Sequence, residues 1–358
     1  MGVPSEESRK YLFLTPPATG ELQPVYAITE TLLCNDVNAQ VYIASGSSFA
    51  KRFEGFRDSL PLNCQPRLCR IDLGKTDDAE DYSARMLKPD PAKRPDLFGS
   101  HRHARGDPRP FMRYWEVFAA GSEPERLATI RRIKCMLKEL KPDMIIVDQI
   151  YGNPFDGIYL FFFLSVGQIG ATDSLASSDY AANTPEDHRE MVAALTKAHN
   201  AHGRFRVLWK IVKMESNYDV DVPIFIKETT WVASVELVYR HPATKIVVHH
   251  GGGNTVNEVV YYGLMHLVVP QWADTYDWAA TIEGFGLGVQ TRNPGPQLDR
   301  NEIAAALLHL LQEPQSFASS VGDWQRRSRK TGGTAQAVDI IERQAEAHHS
   351  SYANILSQ

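Results

Sequence analysis

The sequence predicts an α/β protein of two domains, each built on a doubly wound parallel sheet. Apolar strands alternate with amphipathic helices over residues 11–73, and a strand leads through a glycine-rich turn into a helix over residues 246–262. The chain is also 358 residues long. Such alternation is typical of parallel sheets, and a single hydrophobic core stops growing below this length, so two domains are expected.

The individual elements follow from the spacing of apolar residues, which differs between strands and helices. In the first domain the predicted strands span 11–15, 40–44, 67–73 and 144–148, and the predicted helices span 24–34, 47–56 and 125–140. In the second domain the predicted strands span 206–211, 224–226, 246–248, 266–269 and 286–289. The predicted helices there span 186–201, 234–239, 256–262, 276–283 and 300–311, with a further helical stretch over 322–343 on both sides of Thr331-Gly332-Gly333-Thr334. Residues 74–110 are charged and proline-rich and predict a long loop.

The stretch from Lys245 to Ala280 carries the strongest functional signal. A short β-branched strand runs directly into His249-His250-Gly251-Gly252-Gly253-Asn254-Thr255, and a helix follows. Glycines let backbone N–H groups approach a phosphate closely, and the first turn of a helix adds unpaired donors and the positive end of its dipole. The segment therefore predicts an anion-binding turn. Glu258 lies one helical turn further on, placed to accept hydrogen bonds from a ribose diol.

This turn, together with Trp231, Gly263, Pro270 and Asp274, resembles the donor signature of the UDP-dependent glycosyltransferases of family 1, of the type that fungi and bacteria use on natural products and sterols. The resemblance implies the GT-B fold, in which two Rossmann-like domains with doubly wound parallel sheets face a cleft. It also implies a UDP-sugar donor, with UDP-glucose as the expected substrate, and no metal ion or other cofactor. The turn alone would also fit a structural glycine turn in another Rossmann domain.

The resemblance assigns roles to the residues of the turn and its helix. His250, Gly251, Gly252 and Gly253 face the diphosphate, Asn254 and Thr255 bind phosphate oxygens, and Glu258 binds the ribose.

The remaining donor-site residues match the family less closely. Trp231 is expected to stack on uracil. Asp274 and Thr275 stand where the family has an Asp-Gln pair that holds sugar hydroxyls, so the Gln is replaced by Thr. Trp278 also replaces a usual Asn, and Ala233-Ser234 replaces a usual Pro-Gln. These departures put the identity of the sugar in doubt more than that of the nucleotide.

The catalytic residues are predicted in the first domain. The first turn reads Gly20-Glu21-Leu22-Gln23-Pro24 where the family has Gly-His-x-x-Pro, and the family His is the general base that deprotonates the acceptor hydroxyl. Glu21 therefore occupies the base position, but an ordinary Glu titrates far below neutral pH unless burial raises its pKa. Glu21 is either the base or a solvated loop residue. Asp148, which matches the family Asp that orients the base, is either its partner or a cap of the following turn.

The resemblance also predicts the domain boundaries. Residues 158–168 resemble the first strand and turn of the donor domain, which predicts an acceptor-binding domain over 1–157 and a UDP-sugar-binding domain over 158–325. Residues 326–358 are expected to form a final helix and tail that cross back to the first domain. The first domain then appears shortened by one or two βα units. A natural compact variant, a degenerate paralogue and an imperfect gene model all remain open.

Composition argues against several other classes of function. A net charge of −5 gives no electrostatic reason to bind nucleic acid or an anionic membrane. Residues 1–10 are polar and the longest apolar run, 158–166, is too short to span a bilayer, so a cytoplasmic protein without a transmembrane segment is expected. Four cysteines without a CxxC pair suit buried thiols in a reducing cytosol. A monomer is expected.

The expected function is an inverting glycosyltransferase of secondary metabolism that moves a hexose from a UDP-sugar to a hydroxyl of a small apolar acceptor, such as a phenol or a sterol. The alternative is a catalytically impaired nucleotide-sugar-binding paralogue that acts through a partner, because the usual catalytic His is Glu21. A dinucleotide oxidoreductase fits less well, since the first turn lacks GxGxxG spacing.

Overall fold

The computed structural model describes residues 8–16, 19–74, 123–147, 164–165, 185–203, 205–211, 219–232, 234–270, 275–292 and 298–356. For residues 19–21, 123–127, 164–165 and 348–356 the description is of the backbone. The chain divides into two compact units. The first comprises Met1–Lys88, Trp115–Ala171 and Gly332–Gln358, and the second comprises Pro89–Tyr114 and Thr172–Thr331.

Strands and helices alternate along most of the described chain. In order they are β1 (Arg9–Leu14), α1 (Thr19–Asn35), β2 (Ala39–Ser45), α2 (Ala50–Ser59), β3 (Leu68–Asp72), α3 (Glu123–Leu140), β4 (Met144–Val147), β5 (Leu164–Ser165), α4 (Pro185–His202), β6 (Val207–Lys210), β7 (Ile226–Thr229), α5 (Val235–Arg240), β8 (Ile246–His249), α6 (Gly253–Tyr262), β9 (Met265–Val268), α7 (Thr275–Gly284), β10 (Gly288–Gln290), α8 (Arg300–Gln312), α9 (Gln315–Lys330) and α10 (Gly333–Leu356). No helix in these ranges is both long and apolar enough to cross a bilayer.

The first unit contains a parallel sheet with helices on both faces, as predicted. Its strand order is β3-β2-β1-β4-β5. Successive residues of β1 point to opposite faces, because side chains alternate along a strand. Tyr11 and Phe13 join a core that includes residues of α1, α2 and α10, whereas Leu12 and Leu14 join a second core with Ile133 of α3. The sheet is therefore doubly wound.

The last helix of the described chain is part of the first unit. Along α10, Ala337, Val338, Ile341 and Ala345 are buried in the same core as Tyr11. Spacings of three and four residues place these side chains on one face of the helix. A break at Gly332, whose φ of 76° is left-handed, separates α10 from the preceding helix, and Gly333, with φ 54°, is the first residue of α10.

At the junction of the two units the structure differs from the prediction. Leu164 and Ser165 pair in parallel with Ile146 and Val147 of β4, so they extend the first sheet instead of opening the second. The first unit correspondingly continues to Ala171, not to residue 157. An apolar run specifies a buried strand, but its composition does not specify which of two sheets it joins. Whether the first domain is short for its class stays a prediction.

The second unit holds the glycine-rich turn. Strands β10, β9 and β8 form one parallel sheet and β6 and β7 form a parallel pair. Helices α4 and α8 pack side by side in the core, and the Arg300 guanidinium binds the Glu190 carboxylate between them.

The prediction that all four cysteine thiols are buried is wrong. Cys34 and Cys135 are exposed on their helices.

Candidate functional site

The backbone between β8 and α6 requires glycine at position 251. Its φ of 101° lies in the left-handed region that glycine tolerates best. A Cβ at this position would lie 2.9 Å from the carbonyl oxygen of Thr275 and 3.0 Å from Cγ1 of Val268. The turn is thus pressed against the end of β9 and the start of α7. Two separate predicted segments, the glycine turn and Thr275, come together here.

The next glycine begins the helix. Gly252 is the N-cap of α6, with φ −61° and ψ 136°, and it offers no side chain to cap the first turn. Bonding inside the helix begins where the N–H of Val256 donates to the carbonyl of Gly252 at 3.0 Å. Helix α6 therefore starts at Gly253, three residues earlier than predicted. The predicted phosphate-binding residues Gly253, Asn254 and Thr255 form its first turn, where N–H groups point out along the axis.

The polar side chains of α6 differ in burial. Thr255 and Glu258 are 6% and 7% exposed, and Asn254 is half-buried. Thr275, at the start of α7, is fully buried. The helix ends at Gly263, as predicted, in the left-handed conformation with φ 70°.

Three histidines surround the turn, and burial disfavours the charged form of each. Desolvation lowers the pKa of His250 to about 4 and that of His266 to about 3. Desolvation, with the neighbouring His266 and His250, also lowers the pKa of His249 well below its usual value. All three rings are neutral at pH 7. A neutral His250 ring can form hydrogen bonds but carries no positive charge.

Trp231 lies in the loop after β7 and presents an aromatic surface to solvent. Its side chain is 63% exposed. The Thr229 hydroxyl holds the loop, since it donates to the Trp231 carbonyl at 2.7 Å and accepts from the Trp231 N–H at 3.3 Å. Nζ of Lys210 lies 6.0 Å from the centre of the indole ring. An exposed ring fixed by its own backbone is suited to stacking.

The predicted catalytic residues are less fully defined. Asp148 and Asp274 lie outside the described residues. Glu21 lies in the first turn of α1, and the prediction that it belongs to a turn before the helix is wrong. The apolar spacing predicts a helix that begins at Pro24, whereas α1 begins at Thr19 and contains Pro24.

Sequence reasoning missed the histidine pair under the turn. Nε2 of His249 lies 3.0 Å from Nδ1 of His266, and the N–H of Gly251 donates to Nδ1 of His249 at 3.1 Å. His266 is fully buried in β9. A Cβ on Gly288 of the adjacent strand β10 would lie 2.0 Å from the His266 carbonyl oxygen. The close approach of β10 to β9 therefore requires glycine at position 288. The available signal was a lone histidine inside an apolar strand, Met265-His266-Leu267-Val268.

Within the described ranges, no three His, Cys, Asp or Glu side chains are grouped so that they could hold a metal ion.

Comparison with known proteins agrees with this geometry. Residues 173–318, which include the turn, match the family described as UDP-glucoronosyl and UDP-glucosyl transferase. A curated relative, Erythritol-mannosyl-transferase 1 of Mycosarcoma maydis, is 37% identical over 123 residues. That match covers 34% of this chain and 20% of the relative, so the chain matches only about a fifth of the relative's length.

Solved structures share the fold across both units. The glycosyltransferase SsfS6 of Streptomyces sp. SF2575 aligns with a TM-score of 0.60 and 13% identity, over 93% of this chain and 99% of that chain. The glycosyltransferase VinC, solved in complex with DTDP, aligns with a TM-score of 0.60 and 15% identity, over 94% of this chain and all of the other. The fold is therefore GT-B, and within it residues 173–318 resemble the family of UDP-glucoronosyl and UDP-glucosyl transferases.

Proposed function

We propose that the protein is an inverting glycosyltransferase that moves a hexose from a UDP-sugar to the hydroxyl of a small, largely apolar acceptor. The observation that carries the proposal is the turn itself, in which the left-handed Gly251 and the side-chain-free N-cap Gly252 lead into the N-terminus of α6. A helix N-terminus reached through glycines offers backbone donors and a favourable dipole to a diphosphate.

In this proposal the leaving diphosphate binds at the first turn of α6. The amides at Gly253, Asn254 and Thr255 and the ring of His250 stabilise the negative charge that develops as the bond to the sugar breaks. A diphosphate next to His250 would raise the low pKa of that ring, because an opposite charge favours the protonated form. No metal ion is required for this charge stabilisation.

The rest of the donor is proposed to bind around the same turn. Uracil stacks on the exposed ring of Trp231, Glu258 accepts hydrogen bonds from the ribose, and Asp274 with Thr275 binds sugar hydroxyls. Contact between Thr275 and Gly251 supports a common position for the diphosphate and the sugar. The sugar is proposed to be glucose. The mannosyl transfer named for the fungal relative makes mannose the first alternative to test.

The chemical step is a direct displacement. The acceptor oxygen attacks the anomeric carbon, its proton passes to Glu21, and the bond from that carbon to the diphosphate oxygen breaks to release UDP with inversion. Asp148 is proposed to raise the pKa of Glu21, since two nearby carboxylates resist double ionisation. A second candidate is a nucleotide-sugar binder without turnover, favoured by the carboxylate at the position of the family's base.

Both candidates are tested by measuring nucleotide binding and product together. UDP, dTDP and GDP are titrated by calorimetry, and UDP-glucose and a mannosyl donor are each incubated with phenols, sterols and erythritol. Tight UDP binding with a glycoside product supports the transferase. UDP binding without product for any acceptor overturns the enzyme and leaves the binder, and no nucleotide binding overturns both.

Variants then test the base. Glu21→Gln is expected to lower kcat at least 100-fold, because general-base catalysis typically contributes about 10²–10⁴-fold. Glu21→His is expected to retain turnover with a pH profile moved toward neutrality. Glu30→Gln, an exposed carboxylate on the same helix, is the matched control and should leave kcat unchanged. Equal kcat for wild type and Glu21→Gln would exclude Glu21 as the base.

A further inference from the structure

A chain of hydrogen bonds runs from the glycine turn into the interior of the second unit. The Gly251 N–H donates to Nδ1 of His249, and Nε2 of His249 lies 3.0 Å from Nδ1 of His266. Nδ1 of His249 accepts a hydrogen bond, so in the neutral ring the proton must be on Nε2. Nε2–H then donates to Nδ1 of His266, and the proton of His266 is on its own Nε2.

The last group in this series of hydrogen bonds, the His266 ring, is buried. Nε2 of His266 makes no hydrogen bond to any of the described residues, and the side chain is fully buried. Among the described residues this buried donor therefore has no acceptor, which costs stability. A strand residue with such a cost indicates a role that an apolar side chain could not perform. The role visible here is to accept from His249 and so to fix its tautomer.

These hydrogen bonds also determine which amides of the turn can face a ligand. The Gly251 N–H is bonded to a ring beneath the turn, so it is not directed at the first turn of α6. The bond joins residues two apart and closes the turn at the residue with φ 101°. Breaking it would leave the N–H of a buried glycine unpaired and release one restraint on the residue before the N-cap Gly252.

From this arrangement we infer that His249 is a positioning residue for the diphosphate site and that His266 acts through it. The inference rests on the proposed function, because it concerns the same turn. His249 holds Gly251 so that the N-terminus of α6 is pre-organised for the diphosphate. His266 keeps His249 in the tautomer that can accept from Gly251.

Three substitutions in the 358-residue protein test this series of hydrogen bonds. His249→Leu removes the acceptor. His249→Asn restores one, because an Asn side chain can accept from the N–H two residues on in an Asx turn. His266→Leu leaves the acceptor in place but removes the partner that fixes the tautomer. The matched control is His241→Leu, since Nδ1 of the exposed His241 accepts from the N–H of Ala243 at 3.2 Å in the same kind of bond.

UDP affinity is the first measurement. We expect His249→Leu to weaken UDP binding about 5- to 50-fold, from the usual cost of an unsatisfied buried N–H. His249→Asn should recover most of that loss, His266→Leu should lose less than His249→Leu, and His241→Leu should match wild type. Equal affinities for wild type and His249→Leu would overturn the positioning role. So would the absence of recovery in a folded His249→Asn protein.

Nitrogen NMR of the histidine rings is the second measurement, and it needs no ligand. The expected spectrum has both His249 and His266 protonated on Nε2, with slow hydrogen exchange at the Gly251 amide that becomes fast in His249→Leu. A His249 ring protonated on Nδ1 overturns the inference whatever the affinities are. If wild type binds no nucleotide, the proposed function fails, and the spectrum separately supports or overturns the hydrogen-bond chain.

Discussion

Nε2 of His250 lies 2.7 Å from the point where a Cβ on Gly252 would be, so the ring occupies the space that any larger residue at position 252 would need. The relationship explains why the turn needs glycine here even though the φ of −61° at Gly252 is open to every residue. At Gly251 the reason is different, since backbone conformation and the Thr275 carbonyl both exclude a side chain.

Alanine substitutions should separate these two reasons. Gly252→Ala should displace the His250 ring and weaken UDP binding at least about 10-fold, with less than about 1 kcal/mol lost in stability, because a side chain can move aside. Gly251→Ala should also destabilise the second unit by about 1–3 kcal/mol, since it adds strain at a positive φ and a clash with backbone. Calorimetry and urea unfolding measure the two effects. Gly284→Ala, with open space around its Cβ, is the control, and a loss there similar to that of Gly251→Ala would contradict the argument.

The buried histidines predict a loss of stability in mild acid. The pKa of His250 is lowered to about 4 and that of His266 to about 3, so between pH 4 and 6.5 the unfolded state binds more protons than the folded state. The free energy of unfolding should therefore fall as pH drops below about 6.5, by up to about 1.4 kcal/mol per pH unit for each ring.

Urea midpoints at pH 7.5 and 5.5 measure this dependence. His266→Leu should reduce the difference between the two midpoints, since one proton-binding group of the unfolded state is removed. An identical pH dependence in wild type and His266→Leu would show that this ring is not the source.

The exposed indole of Trp231 predicts a change in binding without a change in folding. Trp231→Ala should weaken UDP binding about 10-fold or more, because stacking of a base on an aromatic ring contributes about 1–3 kcal/mol. The midpoint of unfolding should stay within error, since the side chain is 63% exposed. Trp231→Phe should keep much of the affinity. Leu237→Ala, also exposed in the same unit, is the control, and an equal effect on UDP binding there would argue against stacking.

The packing of α10 predicts that a change near the end of the chain weakens the first unit. Ile341→Ala should lower its stability by about 2–4 kcal/mol, because Ile341 is 1% exposed in the core that contains Tyr11. Hydrogen exchange of the amides in β1 and α1 measures this, and the amides of β9 provide an internal reference. Gln344→Ala, on the exposed face of the same helix, should change nothing. Faster exchange confined to β9 would contradict the assignment of α10.

Much of the fold could be predicted because its signals are local. The alternation at β1, α1 and β2, the glycine turn before α6 and the C-cap at Gly263 each depend on residues within one or two turns of each other. Boundaries were harder where glycine or proline stood near a helix start. Helices α1 and α6 both begin earlier than predicted, because early turns tolerate these residues.

The non-local relationships could not be predicted. The pairing of Leu164 with Ile146 depends on a choice between two sheets, and the contact of His249 with His266 depends on the register of β8 against β9. Neither is encoded by the spacing of residues in one segment. At the site, the sequence supplied residue types for the donor but did not show that the Gly251 amide is used internally.

The contribution of α10 to the core of the first unit has a consequence for biosynthesis. Ribosomes make the strands of that unit early, whereas the helix that covers one face of their sheet emerges only after the whole second unit has been translated. Until then the nascent first unit exposes the apolar surface that α10 later covers, and exposed apolar surface makes partly folded chains prone to aggregate. A premature stop anywhere in the second unit would therefore leave both halves of the molecule incomplete.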